Sequence, residues 1–249
     1  MIKVSIITVC YNSQNSIRKT IESVLNQTYK NIEYIIIDGQ STDGTIKIVQ
    51  EYTDAFEGRM RVVSEPDHGI YDAMNKGIGM ATGELIGILN SDDYYEEKAV
   101  ECMIDSMSGD KYQILYGFMR SIKGNQEYCI GRSSHLFLKE EMIGHPACFV
   151  TKAIYDDFGG FDLQYVSVAD YDFMLRMSEI KEVKFLPVDH LITNFAMGGM
   201  SASQEAWMDL LRMKRNRGMI SENKYRKEII KDKLFRIYTG CKDAKRRFK

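Results

Sequence analysis

Two apolar runs that break off at carboxylates limit the folds open to this chain more than anything else in it. Ile35-Ile36-Ile37 leads into Asp38, and Leu85-Ile86-Gly87-Ile88-Leu89 leads through Asn90-Ser91 into Asp92-Asp93. A continuous, β-branched-rich apolar stretch of this kind reads as a strand buried on both faces, as in a parallel sheet. Open α/β sheets bind ligands beyond the carboxyl ends of their strands. Two acid-tipped strands then converge on one crevice, where clustered carboxylates suit hard cations and sugar or ribose hydroxyls. The first expectation is a metal-dependent nucleotide site.

The flanking pattern agrees. Residues 4–9 read as a strand and Tyr11-Asn12-Ser13 as a turn, while Ile17, Ile21, Val24 and Leu25 recur at helical spacing and predict a helix near 14–27. A second strand over 32–38 completes a βαβ unit, and the right-handed crossover makes its strands parallel. A helix over 45–56, a short strand over 61–64, a helix over 70–80 and a strand over 85–90 continue the alternation of a doubly wound nucleotide-binding half. After Asp93 the pattern loosens, with a helix over 99–107, strands over 113–121 and 126–130, a Gly159-Gly160 loop and a helix over 170–177. The expected organisation is one α/β domain over 1–202, split into a nucleotide-binding half (1–100) and a second-substrate half (101–202), with a basic amphipathic helical tail over 203–249.

With 249 residues, 44% of them hydrophobic, the chain can bury one large core. No apolar run reaches the roughly eighteen residues of a membrane span, and the chain opens on a strand rather than a signal peptide, so a cytoplasmic protein is expected. Cys10, Cys102, Cys129, Cys148 and Cys241 are odd in number and widely spaced, which reads as reduced thiols and not as a disulfide or zinc framework. From Ser203 on there are 15 Lys and Arg against 6 Asp and Glu, and before it 18 against 29. An acidic body argues against nucleic acid as a partner. In the basic tail Trp207, Leu210, Leu211, Ile229, Ile230, Leu234 and Ile237 fall at helical spacings. That pattern allows a helix lying on an anionic membrane or one packed on the body with a solvated basic face.

Neither a dinucleotide G-x-G-x-x-G nor a P-loop is present; the first turn reads Thr8-Val9-Cys10-Tyr11-Asn12. Without a glycine cradle a metal must carry more of a phosphate's charge. Adjacent acids in an extended chain point to opposite faces, so one of Asp92 and Asp93 is expected to bind the ion while the other takes a hydroxyl or supports it. An isolated Asp-Asp pair is ordinarily a solvated turn. Asp38 and the Glu65-Pro66-Asp67-His68-Gly69 turn at the same edge favour the site.

The ordered set Val4-Ser5-Ile6-Ile7-Thr8 with Tyr11-Asn12, Ser23 to Tyr29, Asp38-Gly39-Gln40-Ser41-Thr42-Asp43-Gly44-Thr45, Asn75-Lys76-Gly77, Ala81-Thr82-Gly83-Glu84 and Asn90-Ser91-Asp92-Asp93 resembles glycosyltransferase family 2 over about residues 1 to 200. The run from Ser64 to Gly77 resembles the branch that serves bacterial exopolysaccharide, capsule and O-antigen synthesis. The resemblance implies a GT-A fold, a Rossmann-like doubly wound mixed sheet. It implies a metal-dependent, inverting hexosyltransferase-type enzyme that uses a nucleoside-diphosphate sugar, Mn²⁺ or Mg²⁺, and a glycan or lipid-linked acceptor. Such an enzyme sits at the inner face of the plasma membrane, which would suit the basic tail. Residue by residue, it places Val9, Tyr11, Asp38, Lys76, Asn90 and Asp92 at the donor nucleotide and Asp92 and Asp93 at the metal. Two departures stand out. Gly39 replaces an acid used for a uracil ring, which leaves GDP- and dTDP-sugars open as donors. Asn90 replaces the first acid of the metal motif, leaving ribose recognition to an amide.

Val168-Ala169-Asp170-Tyr171-Asp172 resembles the family's acidic motif at a helix start, which makes Asp170 the catalytic base, with Ala169 in place of the usual Glu. By itself an Asp before an apolar run reads as an N-cap. Asp172 faces about 200° around the helix from Asp170, so the two cannot serve one site. His145 and Asp172 are acceptor-side candidates, and Met197-Gly198-Gly199-Met200-Ser201 reads as a loop near the site or an ordinary connector. Two other classes fit the same pattern: a nucleotidyltransferase forming sugar nucleotides, which would need a glycine-rich basic loop that is absent here, and a non-catalytic nucleotide-sugar-binding protein.

Overall fold

The structure is a computed structural model and describes residues 1–124, 126–198 and 203–232. Its centre is a nine-stranded mixed sheet of β1 (Val4–Cys10), β2 (Ile32–Asp38), β3 (Met60–Ser64), β4 (Leu85–Ile88), β5 (Tyr94–Tyr95), β6 (Gln113–Lys123), β7 (Gln126–Gly131), β8 (Cys148–Thr151) and β9 (Lys184–Ala196). The helices are α1 (Ile17–Leu25), α2 (Thr45–Glu51), α3 (Ile70–Met80), α4 (Ala99–Asp105), α5 (Lys152–Phe158), α6 (Ala169–Ser178) and α7 (Gln204–Asn216). The strand order is β3-β2-β1-β4-β8-β6-β9-β5, with β7 beside β6.

The first four strands are mutually parallel and run 3-2-1-4, so the order reverses between β1 and β4. A reversal of this kind opens a crevice at the carboxyl ends of the two strands. All seven residues of β1 and of β2 are buried because helices cover both faces. Ile7, Val9, Ile35 and Ile37 pack with Tyr71, Met74 and Ile78 of α3, whereas Ile6, Tyr34 and Ile36 pack with Ile17, Ile21 and Val24 of α1. The alternation follows the two-residue period of a strand. A Cβ on Gly77 would collide with the Ile7 side chain, so glycine there lets α3 lie directly on β1.

Glu33 is a charged residue inside this parallel region. It accepts hydrogen bonds from Ser5 Oγ (2.5 Å), Lys3 Nζ (2.9 Å), Thr82 N (2.5 Å) and Gly83 N (3.1 Å), which ties β1, β2 and the turn before β4 together. Burial alone would raise its carboxyl, but the hydrogen bonds from Ser5, Thr82 and Lys3 outweigh it and bring the group down to about 2.

The remaining strands extend the same sheet. β8 runs antiparallel to β4 and β6, and β6 is parallel to β9 with a register shift on either side of Phe118; beyond it Met119 of β6 and Phe195 and Ala196 of β9 reach the cavity. The helix expected over 45–56 ends at Glu51 and gives way to a 3₁₀ turn over Asp54–Phe56, whose Phe56 ring meets Tyr34 at 5.1 Å. β5 and α5 were not foreseen. Of the tail, α7 packs on the body. Asp209 accepts from the Val166 and Ser167 amides at 2.7 and 2.9 Å, and Arg217, one residue past the helix, donates to Asp172 at 2.9 Å. Residues 222–232 are also helical. Leu234, Ile237, Cys241, the Gly199-Met200-Ser201 part of the glycine-rich stretch and the rest of the tail lie outside the described residues; the other four cysteines are free thiols.

Candidate active site

A cavity of about 650 Å³ opens at the carboxyl edge where β1 and β4 diverge. Val9, Tyr11, Asn90, Asp92, His145 and Asp170 all line it, so six of the ten expected site residues meet in one place. Asp38, Lys76, Asp93 and Asp172 do not line it, and each has a physical reason.

Asp38 ends β2 fully buried and folds back on its own loop. Its oxygens accept from Ser41 N (3.0 Å), Ser41 Oγ (2.5 Å) and Ser64 Oγ (2.6 Å), so it shapes the turn that follows β2. Lys76 donates to the Pro66 carbonyl at 2.9 Å and pairs with Glu65 and Asp72 at 3.0 and 3.4 Å, which pins the 65–67 turn. That turn delivers Asp67 to the cavity wall. Asp67 Oδ1 accepts from Gly69 N at 2.9 Å, and a Cβ built on Gly39 would collide with Asp67 Oδ2 and lie 3.5 Å from the Tyr11 ring. Asp67 Oδ2 therefore occupies the space into which a side chain at position 39 would project. Tyr11 is 62% exposed, so its ring is free to stack against a planar ligand there.

The two acids after β4 part as alternation requires. Asp92 faces the mouth of the cavity, where the surrounding protein walls raise its carboxyl. Asp93 is fully buried beneath it, accepting from Ala196 N at 2.9 Å and Asn90 Nδ2 at 3.4 Å. Burial, and then the charge of Asp92, push Asp93 up to about 8. Asp93 thus anchors the end of β9 and is in no position to ligate an ion in the cavity, contrary to its expected role. Asn90 Oδ1 is buried without a hydrogen-bond partner and belongs to a cavity-lining residue.

Among the described residues no group of three or more His, Cys, Asp or Glu side chains is arranged to cage a metal. Small hard cations are held instead by one or two carboxylates together with substrate phosphates. Asp92 and the bare Asn90 oxygen fit that arrangement.

Asp170 lies across the cavity in the first turn of α6. It does not cap the helix: Val168 holds that position without a side-chain hydrogen bond. Asp170 Oδ1 accepts from its neighbour's amide at 2.9 Å and from the Tyr71 hydroxyl at 2.7 Å. Burial first, then the Asp170 charge, drive the Tyr71 hydroxyl far above its usual range, so it stays a donor. His145 is 5% exposed, with its ring edge-on to Phe161 at 5.5 Å, and burial lowers it, keeping the imidazole neutral. Asp172 points away from the cavity and is held by Arg176 Nε (3.1 Å) and Arg217 Nε (2.9 Å). It is a structural clamp between α6 and the end of α7, not an acceptor-side group.

The sequence did not point to Tyr71, and it placed the 65–69 turn at this edge without singling out Asp67. Both sit in the quoted run from Ser64 to Gly77, Asp67 beside a glycine-terminated turn, but their direction depends on how α3 meets α6 and β2.

Taken together, the 3-2-1-4 parallel region, its antiparallel extension and the acid-lined switch-point cavity form the mixed α/β sheet of the GT-A fold. The family model for glycosyl transferase family 2 matches residues 5–199, and the chain belongs to that family. Over 189 residues it is 31% identical to a chondroitin synthase of Pasteurella multocida, covering 74% of this chain and 20% of that one. The chain thus spans about a fifth of that relative's length. Among solved structures, residues 1–349 of S. aureus TarS in complex with UDP-GlcNAc superpose with a TM-score of 0.69 at 19% identity, covering 85% of this chain and 65% of that one. The mannosyltransferase PcManGT of Pyrobaculum calidifontis, in complex with GDP-Man and Mn²⁺, gives 0.65 at 15% identity, covering 89% and 65%. No helix among the described residues is long and apolar enough to cross a membrane.

Proposed function

We propose that this protein transfers a sugar from a nucleoside-diphosphate sugar to an acceptor hydroxyl, with inversion at the anomeric carbon. The observation that carries the reading is the meeting of Asp170, Asp92 and Tyr11 in one cavity. The nucleotide base stacks on Tyr11, with Asp67 accepting from a ring N–H at its edge; uracil, thymine and guanine all present such a donor. Asp92 and Asn90 would hold a divalent ion, Mn²⁺ or Mg²⁺, which would neutralise charge on the departing diphosphate. Asp170, its Oδ1 held by Tyr71, removes the acceptor hydroxyl's proton as that oxygen attacks the anomeric carbon and the diphosphate leaves. A single base with direct displacement inverts the configuration.

The relatives, among them a chondroitin synthase, support a role in bacterial surface polysaccharide synthesis with a glycan acceptor, and a lipid-linked glycan is one form that acceptor would take. From Ser203 on the chain carries 15 Lys and Arg against 6 Asp and Glu, and this overall excess is what would suit peripheral contact with an anionic membrane, although within 222–232 Glu222 and Glu228 pair with Arg226 and Lys231. The test is incubation with UDP-, GDP- and dTDP-sugars, with and without Mn²⁺, following nucleoside diphosphate release. Metal-dependent release that Asp170→Asn abolishes supports the reading. Absence of release from every donor would sink it.

A further inference from the structure

A second hollow, of about 380 Å³, continues from the cavity past Asp170. Asp170, Ser167 and Met142 line both, so the two share a wall at the base. The remainder of the second hollow is formed by Glu140 and Glu141 on one side and by Trp207, Leu210 and Lys214 of α7 on the other.

Trp207 is the chain's single Trp, and it is 49% exposed. An indole left open on a helix that is otherwise firmly docked is not explained by packing. α7 is held at its middle by Asp209 on the Val166 and Ser167 amides and beyond its C-terminal end by Arg217 on Asp172, while Leu211 and Met213 supply its buried face. Those contacts fix the Trp207 backbone relative to Asp170 without using the ring. Indoles offer a flat apolar face on which the C–H face of a pyranose packs, and carboxylates accept from its hydroxyls. Glu140 and Glu141 are both exposed, and after burial their charges raise Tyr171 on the groove wall. Three carboxylates, Glu140, Glu141 and Asp170, face one ammonium, Lys214, so the groove disfavours an anionic sugar.

We propose that this groove is the acceptor subsite, in which a neutral sugar ring stacks on Trp207, hydrogen-bonds Glu140 and Glu141, and presents its hydroxyl to Asp170. The assignment rests on the glycosyl-transfer reading above and adds the acceptor's chemical class and a binding surface on α7, beyond the domain expected to end at residue 202.

Because Trp207 is the sole indole, its emission reports the groove directly. The full chain is titrated with methyl β-lactoside, methyl β-cellobioside and methyl α-mannobioside, and with a disaccharide ending in glucuronic acid. A saturable change is expected with at least one neutral glycoside, at least fivefold weaker with the uronic one. Glu140→Gln combined with Glu141→Gln should narrow that preference. Trp207→Ala should raise the KM of the acceptor so identified about tenfold, with nucleotide affinity held, and Trp207→Phe should recover part of the loss. Emission indifferent to all three neutral glycosides, or equal affinity for the uronic one, overturns the groove. Emission that responds in a protein releasing no nucleoside diphosphate sinks the transfer reading alone; release without a response sinks the groove alone.

Discussion

The Tyr71 hydroxyl donates to Asp170 Oδ1 at 2.7 Å, joining the first turn of α3 to the first turn of α6 across 99 positions of sequence. α3 rests on β1 and β2, beside the proposed donor site, and α6 carries the proposed base, so this one hydrogen bond sets that base relative to the donor side of the cavity. It leaves Oδ2 as the oxygen that can take a proton.

Asp170→Asn preserves shape and removes the proton acceptor, so transfer should fall about 10²- to 10⁴-fold with nucleotide affinity little changed. Tyr71→Phe removes a hydrogen bond to a charged group and should lower kcat roughly tenfold or more. Asp172→Asn breaks a clamp instead, and should cost about 2 kcal/mol of unfolding free energy in denaturant melts while sparing kcat. A crippled Asp172→Asn enzyme beside a near-normal Asp170→Asn one would move the base to Asp172.

Asp92 and Asp93 should separate cleanly. Asp92→Ala removes the cavity carboxylate, so calorimetry should find nucleotide binding that no longer responds to Mn²⁺. Asp93→Asn keeps a partner for the Ala196 amide and relieves a buried acid, so it should retain metal-linked binding. Metal-linked binding that survives in Asp92→Ala and disappears in Asp93→Asn would reverse the assignment.

The parallel half was legible because its strands are continuous apolar runs and its helices carry clear stripes; α3 falls on the residues expected, 70–80. What the sequence withheld was side-chain direction. An acid at a strand end looks the same whether it meets a ligand or, like Asp38, turns back onto Ser41 and Ser64. Alternation foretold that Asp92 and Asp93 would diverge but not which faces the cavity, since that depends on where β9 ends against Asp93. The antiparallel pairing of β4 with β8, and the seating of α7 through Asp209, are contacts between distant segments with no local signature.

Glu33 should make the acid limb of stability steep. Its folded value of about 2 lies below the ordinary 4.5, so its contribution is present above that ordinary value and is lost as pH falls from there through 2. The two values set a ceiling of about 3 kcal/mol at neutral pH. Glu33→Gln should therefore be about 2 kcal/mol less stable at pH 7, with the difference closing as the pH is lowered toward 2. Parallel stability curves for the two proteins between pH 7 and pH 2 would show that the hydrogen bonds, and not the charge, carry the contribution.

The Gly39 and Asp67 pair offers the sharpest test of the donor end, because one carboxylate occupies the space that a side chain at the other position would need. Asp67→Ala removes the acid at the base edge and should weaken nucleotide binding about tenfold or more, the usual scale for a hydrogen bond to a charged group. Gly39→Asp alone forces two carboxylates together and should also weaken binding through crowding and repulsion. Position 39 is not among the residues with positive φ, so its backbone accepts a side chain once Asp67 is trimmed. The double variant Gly39→Asp with Asp67→Ala returns one acid to that place and should bind within about threefold of the parent, a coupling that a thermodynamic cycle isolates. Calorimetry with UDP, GDP and dTDP in Mn²⁺ measures all four proteins. If the double variant binds no better than Asp67→Ala, Asp67 does not stand in for an acid at 39, and the base is read from elsewhere in the cavity.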